Sequence, residues 1–283
     1  MEAARLPRPR PVALRGQLAL AGSLVGLAVL AWVISAGRMD GMDMGPGSDL
    51  GGLGFYLVTW VVMMAAMMFP SVLPVVSIYR RLTRDKAGAT SFLVAGYLAT
   101  WAAAGLVAYG VFELGKAVAS DTFAWDNAGR PVAAGVLVIA ALYELTPLKN
   151  ACLRRCRGPL SFFMESWRDG RGGAFVMGLK HGAWCVGCCW ALMAALFALG
   201  VMSLTWMALV AALIAVEKLV PWRLVAIGSV TAVLLVLAVG VAVSPGDVPG
   251  LTVPSDMSSG SGMHMGGMHK DAGMHHDSMK MSR

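Results

Sequence analysis

One short segment of the chain concentrates residues that bind soft metals. His181, Cys185, Cys188 and Cys189 are separated only by Gly, Ala, Trp and Val. On a helix with 100° between residues, the four side chains fall within an arc of roughly 100°. Ionisable groups in an apolar helix tend to face a bundle interior, and a thiolate is favoured there when a cation compensates it. The spacing predicts a metal site on one helix face, although each thiol alone is also typical of a small buried hydrophobe.

A single helix cannot enclose an ion with four of its own side chains, so a second helix is expected to contribute ligands. Another apolar segment carries methionines as two i, i+4 pairs, and thioether sulfur favours Cu(I). These candidates are Met63, Met64, Met67 and Met68. Flexible packing in a core is the alternative interpretation. Pro70 and Pro74 are expected to kink this helix beside a cavity.

Two further groups of soft ligands lie outside the apolar segments. Residues 245–283 are rich in Gly, Ser, Met and His and are predicted to form a disordered tail. Thioether and imidazole together favour copper, with a solubilising tail as the alternative. The ligand candidates in the tail are Met263, His264, Met265, Met268, His269, Met274, His275, His276 and Met279. The loop after the first apolar run repeats the theme with Met39, Met42 and Met44, which are also compatible with interfacial packing.

The chain that carries these groups is too apolar for a soluble protein. Of its 283 residues, 57% are hydrophobic and 14% are charged. The predicted fold is all-α, a polytopic transmembrane bundle of about seven helices. Runs long enough to cross a ~30 Å hydrocarbon core lie at 17–36, 54–79, 91–115, 131–148, 174–200, 203–220 and 223–244. The first run resembles a signal peptide, but its length favours a span.

Basic residues alternate along the chain in step with these runs. The clusters at 1–16, 80–86, 149–171 and 218–223 all fall on one side when seven spans are counted. The positive-inside rule then places the basic N-terminus (1–16) in the cytoplasm, the helices (17–244) in a bacterial inner membrane, and the tail (245–283) outside. Topology thus accounts for the net charge of +7, and no nucleic-acid partner is expected.

Two smaller features near the predicted cytoplasmic face have simple interpretations. Cys152 and Cys156 lie in the basic loop after the fourth run, where ordinary reduced thiols are favoured slightly over a point of metal handover. Glu217 and Lys218, near the end of the sixth run, are expected to reach toward the membrane surface.

Several motifs occur together in an order that resembles one family. They are Met-Met-Ala-Ala-Met-Met-Phe-Pro, Leu-Thr-Pro-Leu-Lys followed by Cys152, Trp-Arg-Asp-Gly from Trp167, and the segment from His181 to Trp190. Over about 54–221 the chain resembles domain of unknown function 2182, a family described as predicted metal-binding integral membrane proteins. The resemblance implies ligand roles for the matching Met, Cys and His residues. Glu144 stands where the family pattern has Gln, so no role is carried over to that position.

Three function classes fit these observations. The preferred hypothesis is a non-enzymatic copper-handling membrane protein, in which the exported Met and His residues gather copper and the intramembrane site holds Cu(I). A periplasmic copper protein is its candidate partner. A membrane thiol oxidoreductase that cycles Cys185 with Cys188 or Cys189 is the second hypothesis. The third is a structural or assembly subunit without metal. The sequence shows no phosphate-binding loop or nucleophile elbow, which argues against ATP-driven transport within this chain.

Overall fold

A computed structural model describes residues 11–39, 51–83, 88–119, 129–201, 203–220 and 222–244. Within these ranges the chain is helical and contains no strand, which confirms the predicted all-α class. The helices are α1 (Pro11–Met39), α2 (Leu53–Thr83), α3 (Ala89–Ala119), α4 (Arg130–Glu144), α5 (Pro147–Arg157), α6 (Pro159–Ser166), α7 (Gly170–Leu199), α8 (Leu204–Leu219) and α9 (Arg223–Val243).

Four of these helices are long and apolar enough to cross a membrane, namely α2, α3, α7 and α9. Helices α4 and α5 meet at a bend of 67° and would together make a fifth span. The apolar part of α1, Ala21–Gly37, is shorter, and α8 has 16 residues. Six of the seven predicted runs each coincide with one helix to within a few residues at each end, and the fourth, 131–148, covers α4, the bend and the start of α5. Seven spans and the orientation of the termini stay predictions.

The segment after the fourth predicted run is helical, so the interpretation of residues 149–171 as a basic loop was wrong for α5 and α6. Helix α5 begins with Pro147 in its first turn, where a missing N–H is harmless, and the Thr146 side chain accepts a hydrogen bond from the Lys149 backbone N–H at 3.2 Å. Its buried residues are Lys149, Cys152, Leu153 and Cys156. This i, i+3, i+4, i+7 pattern turns one face of α5 inward against α7.

Helices α3 and α7 approach each other closely because glycines line their contact. A Cβ atom on Gly96 would lie 2.1 Å from the carbonyl oxygen of Phe175, and one on Gly178 would lie 2.0 Å from that of Leu93. Small residues allow this approach of two backbones, which is a common way to pack apolar helices. Since α7 also carries His181 and three cysteines, the contact fixes their position relative to α3.

The substitution Gly178→Ala should therefore destabilise the fold. The added methyl group meets backbone atoms, which cannot move aside as a flexible side chain would, and overpacking of this kind costs about 1–3 kcal/mol. Gly135→Ala on α4 is the matched control, because a Cβ there meets nothing within 4 Å. Thermal unfolding of the purified chain in detergent should show a lower midpoint for Gly178→Ala only. Equal midpoints for both variants would contradict the close contact.

Candidate metal centre

The thiols of Cys156, Cys185 and Cys188 form a compact group in the bundle interior. Their three sulfur atoms all lie within 4.8 Å of one another, and all three residues are buried. Helix α7 contributes Cys185 and Cys188, and α5 contributes Cys156. We call these three residues the thiol cluster. It joins two helices at one point, as an ion shared between them would require.

The separation of the sulfur atoms fits a single soft metal ion. With a metal–sulfur distance of about 2.3 Å, as in zinc–thiolate sites, sulfur ligands in a trigonal arrangement lie about 4 Å apart. The observed limit of 4.8 Å accommodates that geometry. A set of three cysteine sulfurs selects soft ions such as Cu(I), whereas Mg²⁺ and Ca²⁺ prefer oxygen ligands. The thiol cluster therefore has the composition and the dimensions of a site for one soft metal ion.

The structure differs from the prediction that Cys156 is an ordinary loop thiol. Cys156 lies in the last turn of α5, is 6% exposed, and faces α7 rather than solvent. The sequence-based interpretation weighed a point of metal handover there but slightly favoured an ordinary reduced thiol, because the surrounding arginines resembled a solvated loop. The i, i+3, i+4, i+7 spacing of Lys149, Cys152, Leu153 and Cys156 is the signal that would have identified it. Cys152 is also buried but does not belong to the thiol cluster.

The predicted ligand face of α7 is buried along its whole length. His181, Cys185, Cys188 and Cys189 are each 1% exposed. The Cys189 thiol donates to the carbonyl oxygen of Cys185 at 2.8 Å, and the Cys188 thiol donates to the same oxygen at 3.1 Å. The thiol cluster contains neither Cys189 nor His181, so their ligand roles stay predictions.

His181 lies one helical turn before Cys185 and is enclosed by aromatic rings. Its ring centroid is 5.2 Å from that of Phe162 and 5.9 Å from that of Tyr97. Within the described part of the chain, its Nδ1 atom has no hydrogen-bond partner. A buried ring nitrogen without a partner is costly, so this atom is available to a ligand or an ion.

The sulfur of Cys185 receives two polar contacts from outside α7. The ammonium group of Lys218 donates to it at 3.2 Å, and the Tyr97 hydroxyl forms a hydrogen bond with it at 3.2 Å. The prediction that Lys218 reaches toward a membrane surface was wrong, because this half-buried side chain points to the thiol cluster. Both contacts stabilise negative charge on sulfur.

A second buried group of charges adjoins the thiol cluster along α8. Lys149 donates to Glu217 at 2.6 Å and also to Glu144, and all three side chains are almost fully buried. We call Glu144, Lys149 and Glu217 the ionic triad. It connects α4, α5 and α8, and Glu217 immediately precedes Lys218. Glu217 therefore does not reach outward as predicted, and Glu144 has a structural role in this chain.

The four candidate methionines of α2 are buried, and one of them, Met67, lines the same cavity as Cys156 of the thiol cluster. Met63, Met64, Met67 and Met68 are each 5% exposed or less. Met67 lines a cavity that is also lined by Cys156 and Lys218. As expected from the sequence, Pro70 and Pro74 border this cavity. Ligand roles for the methionines stay predictions.

The Met and His groups outside the apolar segments lie beyond what the structure describes. Met39 ends α1, and its side chain is outside the described residues. The same holds for the whole of Met42, Met44, Met263, His264, Met265, Met268, His269, Met274, His275, His276 and Met279. Their role in copper binding stays a prediction.

A family model described as PpoB2, copper chaperone, matches residues 57–241. This family is also called domain of unknown function 2182, so the resemblance drawn from the motifs is confirmed. The match extends beyond the motifs to most of α9. Neither curated proteins nor solved structures give a match.

The ionic triad yields a prediction about stability. Lys149→Met leaves Glu144 and Glu217 buried without their cation, and the loss of one partner from a buried ion pair costs about 3–5 kcal/mol. The matched control is Lys116→Met, because Lys116 is exposed and lies 3.6 Å from the exposed Glu113. An exposed pair of that kind contributes about 1 kcal/mol or less. Thermal unfolding in detergent should separate the two variants clearly, and similar midpoints would refute the role of the triad.

Proposed function

We propose that this chain, which belongs to the PpoB2 family of copper chaperones, is a non-enzymatic Cu(I) carrier whose metal is held by Cys156, Cys185 and Cys188. The observation that carries the proposal is the convergence of three buried thiols from two helices. Cysteines that served only as small hydrophobic packing residues would not need to bring their sulfur atoms together across helices.

The charges around the thiol cluster suit a monovalent ion held by thiolates. Three thiolates and one Cu(I) ion carry a net charge of −2, which is costly in an apolar interior. The ammonium of Lys218 reduces this charge by one, and the Tyr97 hydroxyl adds a hydrogen bond to the same sulfur. These contacts orient and stabilise the ligands from outside the coordination shell, which is a common requirement of metal sites.

A chaperone must also release its metal, and the residues on either side of the thiol cluster suit ligand exchange. Cys189 follows Cys188 directly, and His181 precedes Cys185 by one turn with a free Nδ1 in the described structure. We assign both residues as secondary ligands that bind Cu(I) transiently as it enters or leaves. The thioether of Met67, on the shared cavity, is assigned the same task.

The location of this carrier is proposed from its apolar helices and charge pattern. Helices α2, α3, α7 and α9 have the length and composition of membrane spans. We propose a multi-pass protein of the bacterial inner membrane, with the N-terminus in the cytoplasm and the tail outside. In this arrangement the tail residues and the loop with Met42 and Met44 collect copper, and a periplasmic copper protein is the exchange partner.

Copper affinity should distinguish a thiol of the cluster from a buried thiol outside it. Cys156→Ser should weaken Cu(I) binding by at least about a hundredfold, because even outer-shell partners of metal ligands contribute 10–100-fold. Cys152→Ser is the matched control, since Cys152 lies on the same helix and is equally buried but stands apart from the thiol cluster. Competition with a chromophoric Cu(I) chelator measures both affinities in the detergent-solubilised chain.

Two results of that competition would reject the proposed site. One is an unchanged affinity in Cys156→Ser, and the other is an equal loss in Cys156→Ser and Cys152→Ser. A wild-type chain that holds no Cu(I) would reject the function itself.

A truncation separates copper binding by the tail from copper binding by the thiol cluster. A chain that ends at residue 244 should bind fewer Cu(I) ions in total but keep one ion with wild-type affinity. Metal analysis after equilibrium dialysis at several copper concentrations gives both quantities. Loss of the tightest-bound ion on truncation would show that the tail, rather than the thiol cluster, is the main site.

A further inference from the structure

The thiol cluster is reached from a cavity of about 340 Å³ between α1, α2, α5, α6 and α8. Cys156 and Lys218 belong to both the cavity wall and the contacts of the thiol cluster, whereas Cys185 and Cys188 do not line the cavity. A molecule in the cavity would thus meet Cys156 before the other two thiols. The residues that line the cavity include Met67, Pro70, Pro74, Cys156, Arg157 and Lys218.

The cavity is large for the delivery of a single bare ion. Pockets that bind small organic molecules measure about 300–1,000 Å³, and this cavity falls within that range. Its wall combines apolar residues with a few polar groups, as ligand pockets do. The dimensions therefore fit copper that arrives with a small organic ligand still attached.

The charge of the wall determines which ligand it would accept. The charged side chains that line the cavity, among the described residues, are Arg157 and Lys218, and both are basic. Arg157 is held in place because its guanidinium donates to the carbonyl oxygen of Val220 at 2.8 Å. A concave surface with two fixed cations attracts anions and repels a free Cu(I) ion or a cationic complex.

The geometry points to a Cu(I) complex of a small anionic thiol as one form in which copper enters the thiol cluster, by a route through this cavity that is separate from collection by the tail. This inference rests on the proposed function, and it adds the chemical class of the incoming copper complex. Arg157 and Lys218 attract the negative charge of the complex, and Cys156 is the first protein ligand. Met67 offers a soft thioether on the same wall.

Transfer then proceeds by ligand exchange without any change in oxidation state. A bond forms between copper and the sulfur of Cys156 while one bond between copper and a carrier sulfur breaks. The proton of the Cys156 thiol passes to the departing carrier thiolate, so one neutral thiol leaves and the net charge is conserved. A second exchange with Cys185, whose sulfur lies beside Lys218, releases the remaining carrier thiol.

Copper uptake by the full-length chain in detergent tests this inference with two donors under anaerobic conditions. One donor is the anionic Cu(I)–glutathione complex, and the other is the cationic Cu(I)–acetonitrile complex. Arg157→Gln removes one cation from the cavity, Arg157→Lys keeps the charge, and Arg154→Gln removes an exposed arginine of the same helix that does not line the cavity. The copper retained after rapid gel filtration is measured as a function of time. The increase with time, minus that for Cys156→Ser, gives the uptake rate.

We expect Arg157→Gln to slow uptake from the glutathione complex by about threefold to tenfold, within the range of electrostatic steering. Uptake from the acetonitrile complex should be unchanged or faster, and final occupancy should be the same. Arg157→Lys and Arg154→Gln should resemble the wild type. Higher ionic strength should slow only the glutathione donor with the wild-type chain, which provides a test that needs no variant.

Results that overturn this inference differ from results that overturn the proposed function. Equal effects of Arg157→Gln on both donors, or the absence of a salt effect on the glutathione donor, would overturn the inference and leave the proposed function standing. A wild-type chain that retains no copper from either donor would overturn the proposed function and this inference with it.

Discussion

An ionised group inside an apolar helix bundle needs an opposite charge in contact with it, and this constraint shapes the centre of the protein. Among the residues that the structure describes, two lysines enter the interior, and each meets groups that carry or can carry negative charge. Lys149 contacts the carboxylates of Glu144 and Glu217, and Lys218 contacts the sulfur of Cys185. Because Glu217 and Lys218 are consecutive, α8 takes part in both groups. The ionic triad thereby holds α4, α5 and α8 in the arrangement that places Lys218 beside the thiol cluster.

The surrounding helices explain how a buried site can be both stable and exchangeable. Close contact between α3 and α7 at Gly96 and Gly178 fixes the helix that carries two of the thiols. The third thiol, on α5, faces this rigid pair on one side and the cavity on the other. In the proposed site, a metal ion would be shielded from water on most sides, while Cys156 stays accessible from the cavity. That combination suits a carrier, which must protect Cu(I) and also release it.

The parts of this structure that follow local sequence patterns were predictable, and the parts that depend on packing between distant segments were not. Apolar runs located the helices, and the 100° rotation per residue correctly placed His181 and the cysteines of α7 on a buried face. The choice of Cys156 as the third thiol depends on how α5 folds back against α7 at the bend after Glu144. The sequence alone did not reveal this helix as part of the core, because its three arginines make the segment look like a solvated loop. The prediction for Lys218 was wrong for a related reason, because the sequence alone does not show that the sulfur of Cys185 lies within reach of its ammonium group.

The proposed site holds one Cu(I) ion on the sulfur atoms of Cys156, Cys185 and Cys188. X-ray absorption at the copper edge, on the full-length chain loaded with one equivalent of Cu(I), measures the coordination shell directly. We expect three sulfur neighbours in the wild type and a smaller number of sulfur neighbours in Cys156→Ser. A shell dominated by imidazole nitrogen, or a spectrum that is identical in the wild type and in Cys156→Ser, would contradict the proposed site.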